Sequence, residues 1–239
     1  HGMEFGTDNR KLPETIHRYR PDGILIAGDM IVRNDSASLK TASSLLRSLA
    51  QQYPVYYALG NHEYKLYRTD PQDNCMAARY QEYEKELKTA GIHILHNESC
   101  SLQVGKTSLT VYGLEIPLIY YKKPFSPQLK REEVRELIGE PSSDSLNILL
   151  AHSPKYGDTY FDWGADLILS GHYHGGIVRL GRHNGLLSPQ LHPFPKFCCG
   201  DFHRKDQHML VSAGAGEHTI PVRIHNPREL LMVDLKPNA

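Results

Sequence analysis

Four short apolar runs in this 239-residue chain each end directly on a metal-capable residue, and that coincidence restricts the fold more than any bulk property. Gly23-Ile24-Leu25-Ile26-Ala27 ends at Gly28-Asp29, Val55 to Leu59 at Gly60-Asn61-His62-Glu63, Leu146 to Ala151 at His152, and Asp166 to Leu169 at Gly171-His172-Tyr173-His174. Short, continuously apolar runs closed by turn residues read as strands buried on both faces of a layered α/β fold. Loops leaving the carboxyl ends of such strands gather along one edge of the sheet, so residues distant in sequence meet there. Four strand ends can therefore build one site.

Between the runs, apolar residues recur at helical spacing. Helices are expected over 9–20, with Leu12, Ile16 and Tyr19 on one side, and over 37–52, with Leu39, Ala42, Leu45, Leu46 and Leu49. Further helices are expected over 74–90, stopped by Gly91, and near 131–139. Residues 92–118 alternate as a meander around Gly105-Lys106, whereas 181–207 lacks periodicity and reads as one long loop. Met209-Leu210-Val211 and Leu230-Leu231-Met232-Val233 read as closing strands. No repeat, low-complexity tract or linker divides the chain, so a single domain over 1–239 is expected.

Lys plus Arg and Asp plus Glu both number 27, so no long-range field favours nucleic acid or an anionic membrane, and any attraction for phosphate must be local. Cys75, Cys100, Cys198 and Cys199 form no CxxC pair and no regular framework. Cys198 and Cys199 are poorly placed to chelate one ion together and read as small buried hydrophobes. No apolar stretch approaches the roughly 20 residues of a membrane span, so a soluble domain is expected. The chain begins at His1-Gly2 without an initiator Met, so the natural N-terminus, with any anchor or export signal, is expected upstream.

The ligand types suit borderline divalent metals. Imidazole takes Zn, Fe, Mn or Ni, while a carboxylate such as Asp29 can bridge two ions. Two ions about 4 Å apart hold a phosphoryl oxygen and bring the pKa of a bridging water near neutrality, so no nucleophilic Ser or Cys is needed. His62, next to Asn61, is then placed to serve as a general acid or hydrogen-bond donor at the leaving oxygen. Singly, each element has a plainer reading: a Gly-Asp turn, an Asn N-cap with Glu63 in the first helical turn, a hydrogen-bonded strand-end histidine. Their recurrence at four strand ends is what carries the chemical reading.

The series Gly28-Asp29, Gly60-Asn61-His62-Glu63, His152 and Gly171-His172-Tyr173-His174 resembles the calcineurin-like metallophosphoesterases, whose first motif, Asp-x-His, would end here at His1. The resemblance implies a four-layer αββα sandwich, with a first core strand and the Asp of that motif lying before His1. It implies that His1 and His174 bind a first metal, Asn61, His152 and His172 a second, Asp29 bridges them, and His62 is the catalytic acid. The cofactors implied are two divalent ions, Mn, Fe or Zn, the first site being incomplete without the upstream Asp. Ser170 to Gly176 followed by Arg179-Leu180, and Val211-Ser212-Ala213-Gly214 with Pro221-Val222-Arg223, look like the bacterial predicted-phosphohydrolase branch, whose members often carry a membrane or export segment ahead of the first motif.

The substrate so implied is a phosphate mono- or diester, either a small molecule or a lipid-linked nucleotide such as a UDP-diacylglucosamine-like pyrophosphate. Nucleic acid is not expected as a partner, and membrane contact would come only through an upstream segment. Arg179 and Arg223 are candidate phosphate forks. Arg182, His183, His192, Phe194, Phe197 and Phe202, in the 181–207 loop, are candidate walls for the rest of the substrate. Two competing readings are a phosphoesterase-like scaffold that has lost catalysis and a mononuclear zinc hydrolase on another fold. Metal content separates the three: two ions, none, or one.

Overall fold

The computed structural model describes residues 3–6, 9–123, 125–176, 178–181, 183–188, 193–216 and 222–236. In the amino-terminal half, α1 (Lys11–Tyr19), β1 (Ile24–Ile26), α2 (Ser36–Ala50), β2 (Val55–Ala58), α3 (Asn61–Tyr67), α4 (Cys75–Thr89) and β3 (His93–Leu95) follow in order. Then come β4 (Ser99–Val104), β5 (Thr107–Leu114), α5 (Arg131–Ile138), β6 (Leu146–Ala151), α6 (Gly157–Trp163) and β7 (Leu167–Ser170). The chain closes with the small hairpin β8 (Arg179–Leu180) and β9 (Asn184–Gly185), then β10 (Gly200–Arg204) and β11 (Gln207–Val211).

The strands form two main sheets. One is parallel in the order β1-β2-β3, with Ile24 opposite Val55 and Tyr57 opposite Ile94. The other runs β10-β11-β7-β6-β5-β4 and is parallel from β11 through β5, with antiparallel hairpins at both ends. Between them, Tyr56, Ala58 and Leu95 of the first sheet meet Leu109, Val111, Ile148, Leu150 and Leu167 of the second. On the far side of the first sheet, Leu39, Leu45, Leu46 and Leu49 of α2 and Tyr80, Tyr83 and Leu87 of α4 cover Tyr57 and Ile94. On the far side of the second, Val134 of α5 and Tyr160, Phe161 and Trp163 of α6 cover Tyr112, Leu149 and Ile168. Helix, sheet, sheet and helix are thus the four layers implied by the motif series.

Local chemistry sets the element ends. Asp35 accepts from the Ala37 N–H at 2.9 Å and starts α2, while Asn74 accepts from Met76 and Ala77 at 2.9 and 3.2 Å and starts α4. Four elements depart from the pattern read in the sequence. The expected 92–118 meander is split: β3 pairs parallel with β2 in the first sheet, and only β4 and β5 form a hairpin, at the edge of the second. α6 is only 7 residues long, with Tyr160, Phe161 and Trp163 buried and Asp158 and Asp162 exposed, too short a run to establish a helical period. β10 lies inside the expected 181–207 loop, where it pairs with β11 around Lys205-Asp206. Leu230 to Val233 is not a closing strand: it has no ladder partner among the described residues, and these four side chains keep 37–49% exposure. A strand is made by its ladder, and apolar β-type sequence alone does not supply one. No described helix is long and apolar enough to cross a membrane.

At the carboxyl end of β3, His96 sits between two carboxylates, with Nδ1 2.8 Å from Glu115 and Nε2 3.0 Å from Glu84, and its ring stacks on Tyr67 at 4.3 Å. Burial opposes the charged imidazole, but the two carboxylates outweigh it and raise the pKa from 6.5 to about 9. A raised folded-state pKa gives stability that is full below 6.5 and lost as pH climbs through 9. After screening at this partly exposed ring, the expected contribution at neutral pH is about 1–2 kcal/mol. Thermal melts should show wild type falling toward a His96→Phe variant between pH 7 and 9.5. Parallel melting curves across that window would rule this out.

Candidate metal centre

The loops that leave β1, β2, β6 and β7 meet at one end of the sandwich. The Gly28-Asp29 turn lies against the Gly60-Asn61 turn so closely that a Cβ on Gly28 would stand 2.3 Å from Gly60 N, and one on Gly60 would stand 2.1 Å from Asp29 Oδ1. Only glycine permits this approach, which brings the Asp29 carboxylate to the first turn of α3, where Oδ1 accepts the His62 N–H at 3.1 Å. Because β6 and β7 are neighbours, with Leu150 opposite Leu169, His152 and His172 emerge side by side and their rings lie 5.1 Å apart.

A fully buried carboxylate locks the first two loops together. Glu63, with 0% exposure, accepts from the N–H groups of Asp29 at 3.0 Å, Gly60 at 3.1 Å and Ile31 at 3.1 Å, and from the Tyr57 hydroxyl at 2.7 Å. Burial, together with the neighbouring Asp29 charge, pushes its pKa up to about 7. The sequence marks Glu63 as a first-turn helix acid; its cross-loop role depends on the fold of residues 29–31 around it.

Asp29, His152 and His172 bring ligand atoms within 4.8 Å of one another. His152 Nδ1 lies 2.6 Å from the Ala27 carbonyl, an atom that only accepts, so Nδ1 carries the proton and Nε2 faces Asp29 Oδ2 at 2.9 Å. An imidazole lone pair directed at a carboxylate oxygen requires a proton or a cation between them. Burial disfavours the charged ring, but the Asp29 carboxylate and the Ala27 carbonyl outweigh it and raise the His152 pKa. Asn61 Oδ1 is buried with no hydrogen-bond partner among the described residues. An electron-rich cluster, with an orphaned amide oxygen in the Gly60-Asn61 turn that packs on Asp29, fits a divalent ion.

Asp29, His172 and His174 hold φ of 56°, 60° and 49°, a region costly for residues with a Cβ. Such strain persists only where the surroundings over-determine it, and here it falls on three of the expected ligands. His174 follows His172 in the same loop but is not one of the three clustered groups. His62 Nδ1 accepts the Arg33 N–H at 3.1 Å, so in the neutral ring the proton sits on Nε2. His1, Arg182 and His192 lie outside the described residues.

The arginines expected at phosphate are engaged elsewhere. Arg179 pairs with Glu229, and Arg223 donates to the carbonyls of Ala213 at 2.9 Å, Gly214 at 3.3 Å and Gly216 at 2.5 Å. Phe197 and Phe202 pack edge to face at 5.1 Å, with Phe197 in the core beneath α6, while His183 packs on Phe202 and Phe194 is exposed. Cys198 and Cys199 are fully buried against Tyr173. Tyr121, at the end of a 3-10 turn over Leu118–Tyr121, sets its ring edge-on to His172 at 5.2 Å. No motif marks it, and only the packing of that turn over the β6 and β7 ends reveals it.

Comparison with known proteins agrees with this geometry. The model of the family described as calcineurin-like phosphoesterase matches residues 5–176. The chain is 29% identical over 235 residues to the metallophosphoesterase F40B5.2 of Caenorhabditis elegans, covering 94% of the chain and 44% of that protein. It is 28% identical over 238 residues to the metallophosphoesterase Cj0846 of Campylobacter jejuni, covering 95% and 54%. The phosphodiesterase YaeI of Escherichia coli is 26% identical over 161 residues, covering 67% of the chain and 52% of that protein. The chain thus spans about half the length of these curated relatives.

Proposed function

Because this chain belongs to the calcineurin-like phosphoesterase family, matched over residues 5–176, we propose that it hydrolyses a phosphate ester at a pair of divalent ions held by its strand-end loops. The observation that carries the reading is the Asp29, His152 and His172 cluster, whose proton or cation requirement is built into the geometry. Asn61, His152 and His172 would hold one ion and His174, together with His1, the other, with the Asp29 carboxylate shared between them. Such ions supply a Lewis-acidic grip on the phosphoryl group and acidify a water. Mn, Fe and Zn all suit these ligands.

The protein's own contribution is orientation and proton delivery. The Ala27 carbonyl fixes the His152 tautomer, and Glu63 holds the Asp29 and Asn61 loops in register. His62, with its proton on Nε2, donates to the departing oxygen. His62→Ala is expected to cut turnover by about 10²–10⁴-fold while metal content stays near wild type. Loss of metal in that variant would make His62 a ligand.

A diester is the favoured substrate, a reading supported by the relative named a phosphodiesterase, and a nucleotide-linked lipid pyrophosphate is the finer proposal. Metal analysis with a rate screen on an aryl phosphate, a bis-aryl phosphate and a UDP-linked lipid tests both levels. Hydrolysis of none of the three with Mn, Fe or Zn would overturn the activity, and hydrolysis of aryl esters alone would overturn the lipid substrate. The whole of 1–239 is proposed to act as one catalytic domain, since both sheets contribute to the site.

A further inference from the structure

Within the loop carrying His172 and His174, Tyr173 N–H donates to Gly171 O at 2.6 Å and Gly176 N–H to Tyr173 O at 2.7 Å, and the carbonyls of His174 and Gly176 are held from outside the loop. His174, Gly175 and Gly176 are successive left-handed residues, with φ of 49°, 70° and 73°. Such a run makes no helix or strand ladder, so its carbonyls need partners from outside. One side chain supplies two of them. Asn226, 4% exposed, donates from Nδ2 to the His174 carbonyl and to the Gly176 carbonyl, both at 2.6 Å, and so spans the run from 50 residues away in sequence. The contact is tight: a Cβ on Gly175 would stand 2.4 Å from Asn226 Oδ1.

The rest of the same segment fixes the floor under His174. A Cβ on Gly214 would lie 4.0 Å from His174 Nδ1, so the 213–214 turn sits against the imidazole. That turn is held by Arg223 through the Ala213 and Gly214 carbonyls, and by Glu229, whose Oε2 accepts the Ala213 N–H at 3.0 Å and whose own N–H donates to Gly214 O at 3.1 Å. Arg179 N–H donates to Ile224 O at 3.0 Å, joining the segment to the strand that follows the metal loop. Arg223, Asn226 and Glu229 thus work as one latch, and Asn226 is the member that reaches the histidine.

We propose that Asn226 is a positioning residue of the metal centre, its amide holding the left-handed His174-Gly175-Gly176 backbone so that the His174 imidazole is aimed at its ion. The inference rests on the reading of His174 as a ligand. Asn226→Asp keeps the shape but removes both donors and turns an acceptor toward two carbonyls, whereas Asn226→Ser keeps one donor. Outer-shell partners of this kind are worth about 10–100-fold in metal affinity.

The test is Zn affinity by chelator competition, the visible spectrum of the Co-loaded protein, and thermal melting, on wild type, Asn226→Asp, Asn226→Ser, Glu229→Ala and His174→Ala. Asn226→Asp is expected to lose about 10–100-fold in affinity for the ion that His174→Ala also weakens, with a Co spectrum shifted toward that of His174→Ala. Asn226→Ser should fall between wild type and Asn226→Asp, which keeps the series readable if the Asp variant folds poorly. Glu229→Ala, which loosens the 213–214 turn without touching the 174–176 carbonyls, should lower the melting temperature at least as much as Asn226→Asp while losing less affinity, separating a structural loss from misaimed ligation. Wild-type affinity and spectrum in both Asn226 variants, whatever their stability, would overturn the proposal. If instead His174→Ala itself binds Zn as wild type does, the ligand reading of His174 fails and this inference with it.

Discussion

Asp29→Ala is expected to lower phosphoesterase turnover by about 10³-fold or more, on the order of 4 kcal/mol of transition-state stabilisation, and to lower bound metal below the wild-type stoichiometry. The size follows from how many things meet at one carboxylate. Asp29 Oδ1 accepts the His62 N–H, and Oδ2 faces His152 Nε2 at 2.9 Å within the cluster that includes His172. Removing it takes away the proposed bridging ligand and the group opposite His152 together, so the two losses are not separable by a single substitution. Asp29→Asn keeps the His62 contact but loses the charge, and it should retain the fold while binding metal weakly. A turnover number within tenfold of wild type for Asp29→Ala, at saturating metal, would remove Asp29 from the bridge.

The largest effect on stability is expected from Glu63→Ala. The substitution orphans three backbone N–H groups and the Tyr57 hydroxyl in a place with no solvent access. Each buried unsatisfied group costs about 1–3 kcal/mol, and partial relaxation leaves an expected loss of about 4 kcal/mol. For a chain of this size that is a fall of about 8–16 °C in melting temperature. Glu63→Gln keeps the volume but turns an NH₂ toward donors, so it should fall between the two. Because the lost bonds join the Asp29 turn to the Asn61 turn, the variant should also bind metal more weakly than its residual fold requires. A melting temperature within 2 °C of wild type would show that other contacts hold these loops.

Much of the site was legible because its residue types are chemically irreplaceable and sit where strand patterns stop. The apolar runs before Asp29, Asn61, His152 and His172 predicted β1, β2, β6 and β7, and each of these residues does lie at the end of its strand. The helices α1, α2 and α4 followed from the spacing of their apolar residues, and α5 lies where a short helix near 131–139 was expected. The short, aromatic α6 did not, since seven residues with only Asp158 and Asp162 exposed are too few to establish a helical period. β10 and the unpaired Leu230 to Val233 were misread for one reason: strand formation depends on a neighbour's edge, which is a property of the assembled sheet.

The sequence by itself determined the ligand chemistry, the two motif glycines that let the Asp29 and Asn61 turns touch, and the order of strands that carry them. Only the tertiary structure decided what those groups do to one another. The Ala27 carbonyl that sets the His152 tautomer lies 125 residues away at the end of β1 in the other sheet, Glu63 acts on a loop 34 residues upstream, and Asn226 spans 52 residues to reach His174. Hydrogen bonds and lone-pair clashes act over about 3 Å, and separations along the chain do not encode which atoms come that close. Packing two sheets face to face does, and it is that packing that turns four strand ends into one centre.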